Sequence, residues 1–97
     1  MKKEPAVYIM ANRKGNVLYV GVTSNIRRRV WQHKTDVFHG FTHWYNVKCL
    51  VYYEFHVSMI AAIRREKQLK HGNRATKVAL IERMNPTWLD LYESLLT

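Results

Sequence analysis

A small α/β domain with a mainly antiparallel sheet, in the order β-β-α-β-α-α-α, is the fold class this sequence predicts. Three observations carry that expectation. Two short runs rich in valine, isoleucine and tyrosine flank a turn of asparagine, glycine and cations, the pattern of a β-hairpin. A third run, KCLVYYEFH at 48–56, is the most strand-like stretch of the chain, with valine and three aromatics. From Ser58 onward, caps and i, i+3, i+4 spacing replace alternation.

Residues 1–5 read as a frayed leader and 7–10 as the first strand. ANRKGN at 11–16 is a turn, and 18–22 is the return strand. A register with Tyr8 opposite Tyr19 sets Ile9 against Leu18 and Val7 against Val20. Both tyrosines then share one face and the aliphatic residues the other. Asn25, with Ser24 as competitor, caps a helix that runs to about Lys34. DVFHGFTHWYN at 36–46 is an aromatic loop before the third strand. Ser58 caps a helix over 59–71 that ends at Gly72-Asn73. Residues 75–84 form a further helix that offers Val78, Leu80 and Ile81 to the core. A last helix spans 87–96, with Pro86 in its first turn behind an Asn85 cap. No repeat, low-complexity tract or linker divides residues 1–97, and that length suits one domain.

Sixteen Lys+Arg against seven Asp+Glu give a net charge of +9 and a pI of about 10.0. A polyanion is the leading partner for such a surface, against the plain alternative of a solvated basic face. The cations are spread along the chain, which disfavours a basic amphipathic membrane helix. No run approaches the roughly 20 apolar residues of a bilayer span. MKKEPAVYIM lacks the apolar core of a signal peptide. The single Cys49 cannot form an intramolecular disulfide and reads as a buried thiol. A cytoplasmic protein with no membrane contact is expected.

In the segment YVGVTSNIRRRVWQH at 19–33, helical spacing aligns Ile26, Arg29, Val30 and His33. A cation and an imidazole thus share an apolar stripe, and a buried arginine needs an anion. On the later helix Ala62, Glu66 and Leu69 share a stripe, which places a carboxylate at the apolar face. A salt bridge to Lys70 or Arg29 would explain Glu66. Alternatively, a hard ion such as Mg²⁺ binds through one or two carboxylates and keeps its waters. Each residue has an ordinary packing role on its own. Two tyrosines on one hairpin face, an Arg-His helix and a glutamate together supply the parts for phosphodiester hydrolysis. Those parts are a proton acceptor, a cation for phosphate and a metal ligand.

The pair Ala6-Val7-Tyr8 and Tyr19-Val20-Gly21, ten residues apart, resembles the signature of the GIY-YIG nuclease family. GVTSNIRRRVWQH resembles that family's segment after the second tyrosine, and IRREKQLK its glutamate-bearing helix. ALIERMNPTWLDLY is similar to the tail of its short single-domain bacterial members. Ala6 stands where the family has its first signature glycine. The resemblance implies a central three-stranded antiparallel sheet flanked by helices, and one divalent metal, Mg²⁺ or Mn²⁺. It makes Tyr8, Tyr19, Arg29, His33 and Glu66 the catalytic set, with Glu66 the metal ligand. Gly21 and Asn85 become signature residues. Arg27, Arg28, Arg29, Lys34, Lys67 and Lys70 are the cations expected to meet nucleic acid.

The function expected is therefore a metal-dependent DNA endonuclease, acting on single-stranded or structured DNA in repair, recombination or uptake, as a monomer or homodimer. RNA is the weaker expectation as substrate. The alternative is a nucleic-acid-binding module that kept the fold and lost the chemistry. His39 and His43 are separated by Gly40 and lack a cysteine pair, which argues for a loop over a zinc site. The aromatics Phe38, Phe41, Trp44 and Tyr45 could stack on unpaired bases or pack on the following strand.

Overall fold

The computed structural model describes residues 4–37 and 40–97. Three strands, β1 (Ala6–Ala11), β2 (Leu18–Thr23) and β3 (Cys49–Phe55), form an antiparallel sheet in the order β2-β1-β3. Around it lie α1 (Ile26–Lys34), α2 (Phe41–Trp44), α3 (Met59–His71), α4 (Arg74–Met84) and α5 (Tyr92–Leu95). The expected fold class holds.

The composition of β1 explains its central place. All six residues of AVYIMA are buried, because both faces of the sheet are covered. Val7, Ile9 and Ala11 pack with Ala62 and Leu69 of α3 and Ile81 of α4. Ala6, Tyr8 and Met10 pack with Ile26 and Val30 of α1, Leu50 of β3 and Leu95. Burying a side chain such as Ile9, Leu50 or Ile81 stabilises by roughly 1.5–3 kcal/mol. In the β1–β3 ladder Ile9 pairs with Tyr52 and Met10 with Leu50, so Val51 is the extra residue of a bulge.

The hairpin register differs from the expected one by two residues. Tyr8 pairs with Gly21 and Met10 with Tyr19. The expected register would have closed the turn across Arg13-Lys14, which lack glycine's tolerance for left-handed backbone. Instead Asn12 N donates to Val17 O at 3.2 Å, Val17 N donates to Asn12 Oδ1 at 3.0 Å, and Gly15 takes φ +72°. A shift of two preserves the pleat, so both tyrosines keep one face, with ring centroids 6.3 Å apart.

Asn25, Ser58 and Asn73 cap α1, α3 and α4, accepting from the backbone N–H of Arg28, Ala61 and Thr76 at 3.1, 3.1 and 2.8 Å. Five expectations need correction. Glu4 and Pro5 are not frayed: Glu4 N donates to Ser24 O, and Pro5 O accepts from His56 N at 2.8 Å. The stretch 36–46 is not wholly loop, since it contains α2; Phe38 and His39 lie outside the described residues. The last helix shrinks to Tyr92–Leu95, because Trp88 takes φ +57° and breaks the chain's helical course. Asn85 does not start that helix but closes α4. Its Nδ2 donates to Val51 O and Leu89 O at 3.2 and 2.7 Å, and its Oδ1 accepts from Leu89 N at 3.0 Å. That buried amide staples the tail to β3. Cys49 is half-buried and not fully enclosed.

Candidate active site

The β1–β2 pairing creates the first feature of the site. Tyr8 lies directly across from Gly21. A Cβ at position 21 would sit 2.3 Å from Tyr8 Cζ and 2.4 Å from Tyr8 Oη. Gly21 is therefore required by close approach. The absence of its side chain lets the phenol lie across β2, the edge strand of the sheet. Ala6, at the other signature position, is fully buried in regular pairing with Thr23 and Phe55.

The phenol meets α1. Tyr8 Oη and His33 Nε2 are 2.9 Å apart, and His33 Nδ1 lies 3.0 Å from Thr42 Oγ1 of α2. The Tyr19 ring stands edge-on to His33, with centroids 5.5 Å apart. On α1 the apolar stripe is as expected: Ile26, Val30 and His33 are buried and Arg29 is half-buried beside them. The Arg29 guanidinium acts on the Tyr8 hydroxyl and favours its ionised form. Tyr19, Arg29, His33, Gly40, Phe41 and Thr42 line one open pocket of about 180 Å³. Thr42 was not singled out from sequence. A threonine in an aromatic loop carries no signal until the fold sets it against His33.

Electrostatics tune this group. Burial, reinforced by the neighbouring Tyr19, holds the Tyr8 hydroxyl well above the ordinary tyrosine range despite Arg29. Burial and then the Arg29 charge push His33 below the ordinary histidine value. The imidazole is therefore neutral at neutral pH. A neutral imidazole donates from one ring nitrogen and accepts at the other, so His33 can serve Tyr8 and Thr42 at once.

This lowered value has a consequence for stability. The unfolded chain takes up a proton at His33 at a higher pH than the folded chain does. Stability from the neutral ring is intact above about pH 6.5 and is lost as pH falls through that value toward the lower folded one. The stability advantage of wild type over His33→Gln, measured by urea denaturation, should therefore shrink between about pH 7 and pH 5.

Glu66 lies on α3, which packs on the opposite face of the sheet from α1. Its charge is felt at the Tyr8 phenol as the smallest of the influences on it, and Glu66 is not among the residues that line the Arg29 pocket. Its side chain is 15% exposed and its Oε2 lies 3.2 Å from Lys70 Nζ. Both sequence readings of Glu66 are thus compatible with its place. Among the described residues no three His, Cys, Asp or Glu side chains group closely enough to form a closed metal cage. A single, partly exposed carboxylate suits a hard divalent ion that keeps waters and takes substrate oxygens as its other ligands. The residues therefore fit Mg²⁺ or Mn²⁺ held by Glu66.

The other cations separate. Arg27 and Arg28 point away from the phenol and line a different cleft of about 420 Å³, with Ser24, Asn25, Phe55 and Leu95. Lys34 is engaged in the tail, with Asp90 and with Lys48 O. Lys67 and Lys70 are exposed on α3. Asn85 acts away from the pocket as the staple described above.

Residues 4–79 match the family profile of the GIY-YIG catalytic domain. The chain belongs to the GIY-YIG family. It is similar to a UPF0213 protein of Staphylococcus haemolyticus, 36% identical over 76 residues, which is 78% of this chain and 92% of the relative. The solution NMR structure of a UPF0213 protein from Bacillus halodurans has the same fold. It superposes with a TM-score of 0.56 at 25% identity, covering 90% of this chain and 92% of that one. This GIY-YIG chain therefore belongs with the family's short single-domain members. The family is of nuclease type, so nucleic acid is the implied substrate class, and its nucleases generally depend on a divalent metal. No described helix is long and apolar enough to cross a membrane.

Proposed function

We propose that this chain is a divalent-metal-dependent endonuclease that hydrolyses DNA phosphodiester bonds. The observation that carries this reading is the 2.9 Å contact from Tyr8 Oη to a neutral His33 Nε2, beside Arg29 at one pocket. Arg29 binds a nonbridging phosphate oxygen with its planar fork and stabilises the charge that develops on the phosphorane. Tyr8 accepts a proton from the attacking water while its own proton passes to His33 Nε2. This coupled transfer matters because the raised Tyr8 value makes a free phenolate scarce at neutral pH. Tyr19 packs against the His33 ring and keeps its plane. Glu66 would hold the ion, Mg²⁺ or Mn²⁺, which when bound supplies Lewis-acid stabilisation of phosphate oxygens. Arg28, Lys67 and Lys70 are exposed and available to phosphate backbone. A reducing cytoplasm, and DNA repair, recombination or uptake, are the settings this activity fits.

The test uses labelled single-stranded, duplex and branched DNAs, with a parallel RNA, in the presence of Mg²⁺. Wild type should cleave DNA. Glu66→Gln should lose cleavage, keep DNA affinity and bind Mn²⁺ more weakly by titration calorimetry. Tight DNA binding with no cleavage of any substrate would favour the binding module. Cleavage undiminished in Glu66→Gln would remove Glu66 from the site.

A further inference from the structure

The short helix α2 has two faces with different chemistry. Its inner face carries Thr42, which is buried and holds His33 Nδ1 at 3.0 Å. Its outer face carries Phe41 and Trp44 and is continued by Tyr45, the residue that closes its C-terminus, at 47%, 77% and 55% exposure. The strand that follows does not cover these rings. Three large aromatics left in water on one short helix call for a partner.

Their arrangement says which partner. Phe41 forms a wall of the Arg29 pocket. Its ring lies near-parallel to Tyr19, at 29° and 6.1 Å between centroids. Tyr45 continues outward, 4.8 Å from Phe41. Tyr19, Phe41 and Tyr45 thus form a stepped row of rings that runs from beside the catalytic imidazole to solvent. The platform is also fixed in place. Val47 N donates to Thr42 O at 2.8 Å, and His43 Nδ1 lies 3.2 Å from Asp36, which Lys48 also engages at 2.8 Å. A rigid aromatic surface loses little entropy when a flat ligand stacks on it.

From these observations we infer that the outer face of α2 is a stacking subsite for an unpaired nucleobase of single-stranded DNA, next to the phosphate held at Arg29. The assignment rests on the proposed phosphodiester site, and it names the substrate form that this site takes. A base within a duplex has both π-faces occupied by its neighbours and cannot use the row. A chain of net charge +9 attracts either form of DNA, so charge alone does not discriminate; stacking does. Because Thr42 lies on the same helix, seating a base on α2 also holds the His33 tautomer that the relay requires.

Binding can be measured apart from cleavage. A fluorescein-labelled single-stranded oligodeoxynucleotide is titrated in EDTA by fluorescence anisotropy against wild type, Phe41→Leu, Tyr45→Leu and Tyr45→Trp. A duplex of the same sequence serves as comparison. Each leucine variant should weaken single-strand binding by about tenfold and leave duplex binding unchanged, and Tyr45→Trp should retain the wild-type affinity. One abasic nucleotide, moved along the strand, should weaken wild type at one position and cost Tyr45→Leu little. Leucine variants that bind the single strand as tightly as wild type would overturn the subsite. So would equal losses on single strand and duplex, or an abasic scan with no sensitive position. Selective loss of single-strand binding in a protein that cleaves nothing would keep the subsite and remove the nuclease reading. Cleavage that is indifferent to these changes would do the reverse.

Discussion

Replacing Arg29 with alanine should lower the rate of DNA cleavage by about 10²–10³-fold, the loss typical when one preorganised donor to developing charge is removed. Three consecutive arginines invite the objection that any of them could serve. The structure separates them. Arg29 shares the stripe with Ile26, Val30 and His33 and lines the pocket with Tyr19 and His33. Arg27 donates to Leu95 O at 2.5 Å, and Arg28 is exposed and lines a different cleft. Arg27→Ala and Arg28→Ala should therefore change DNA affinity by a screened, salt-dependent amount and leave the rate at saturating DNA close to wild type. Arg29→Lys keeps a charge but not the planar fork, and should recover only part of the rate. A second readout does not depend on activity. Arg29 helps to depress His33, so Arg29→Ala should raise the His33 titration midpoint followed by NMR. A midpoint that does not move would place Arg29 away from the imidazole.

Gly21→Ala should be the most disruptive single methyl in the chain. The added Cβ would fall within 2.8 Å of three atoms of the Tyr8 phenol, and Tyr8 is itself fully buried and hemmed in by the core. Overpacking of this kind costs roughly 1–3 kcal/mol. The ring can escape only by leaving its hydrogen bond to His33. Urea denaturation should show the lost stability, and cleavage should fall with it. The double change Tyr8→Ala with Gly21→Ala separates the two effects. If the clash is the cause, Gly21→Ala costs far less stability in the Tyr8→Ala background. Additive costs in this cycle would mean that residue 21 is glycine for a reason unrelated to Tyr8.

Much of this architecture was legible in the sequence because it depends on local rules. Ser58 and Gly72 bracket a helix by capping chemistry, and α3 runs from Met59 to His71 as expected. The stripe from Ile26 to His33 follows from 3.6-residue periodicity alone, and it singled out Arg29 among its neighbours before any contact was known. The errors arose where local pattern competes with distant contacts. The register depended on where the turn could place a left-handed residue, and Gly15 decided it. The last helix read well from Pro86 onward. Its first half was lost because Asn85 is spent on Val51 and Leu89, and Trp88 adopts a left-handed backbone.

The site divides in the same way. The sequence by itself determined its components: the two tyrosines on one face, the Arg-His stripe and the glutamate on an apolar helix face. A shift of two residues in register could not disturb that set, since the pleat repeats every two residues. Only the tertiary structure decided how the components meet. It laid Tyr8 across Gly21 onto His33, packed the helix of Glu66 on the other side of the sheet, and turned Thr42 inward on a helix too short to leave a periodic signature. Contacts such as Tyr8 to His33, 25 residues apart, follow from how the helices close over the sheet, and no local spacing encodes that closure.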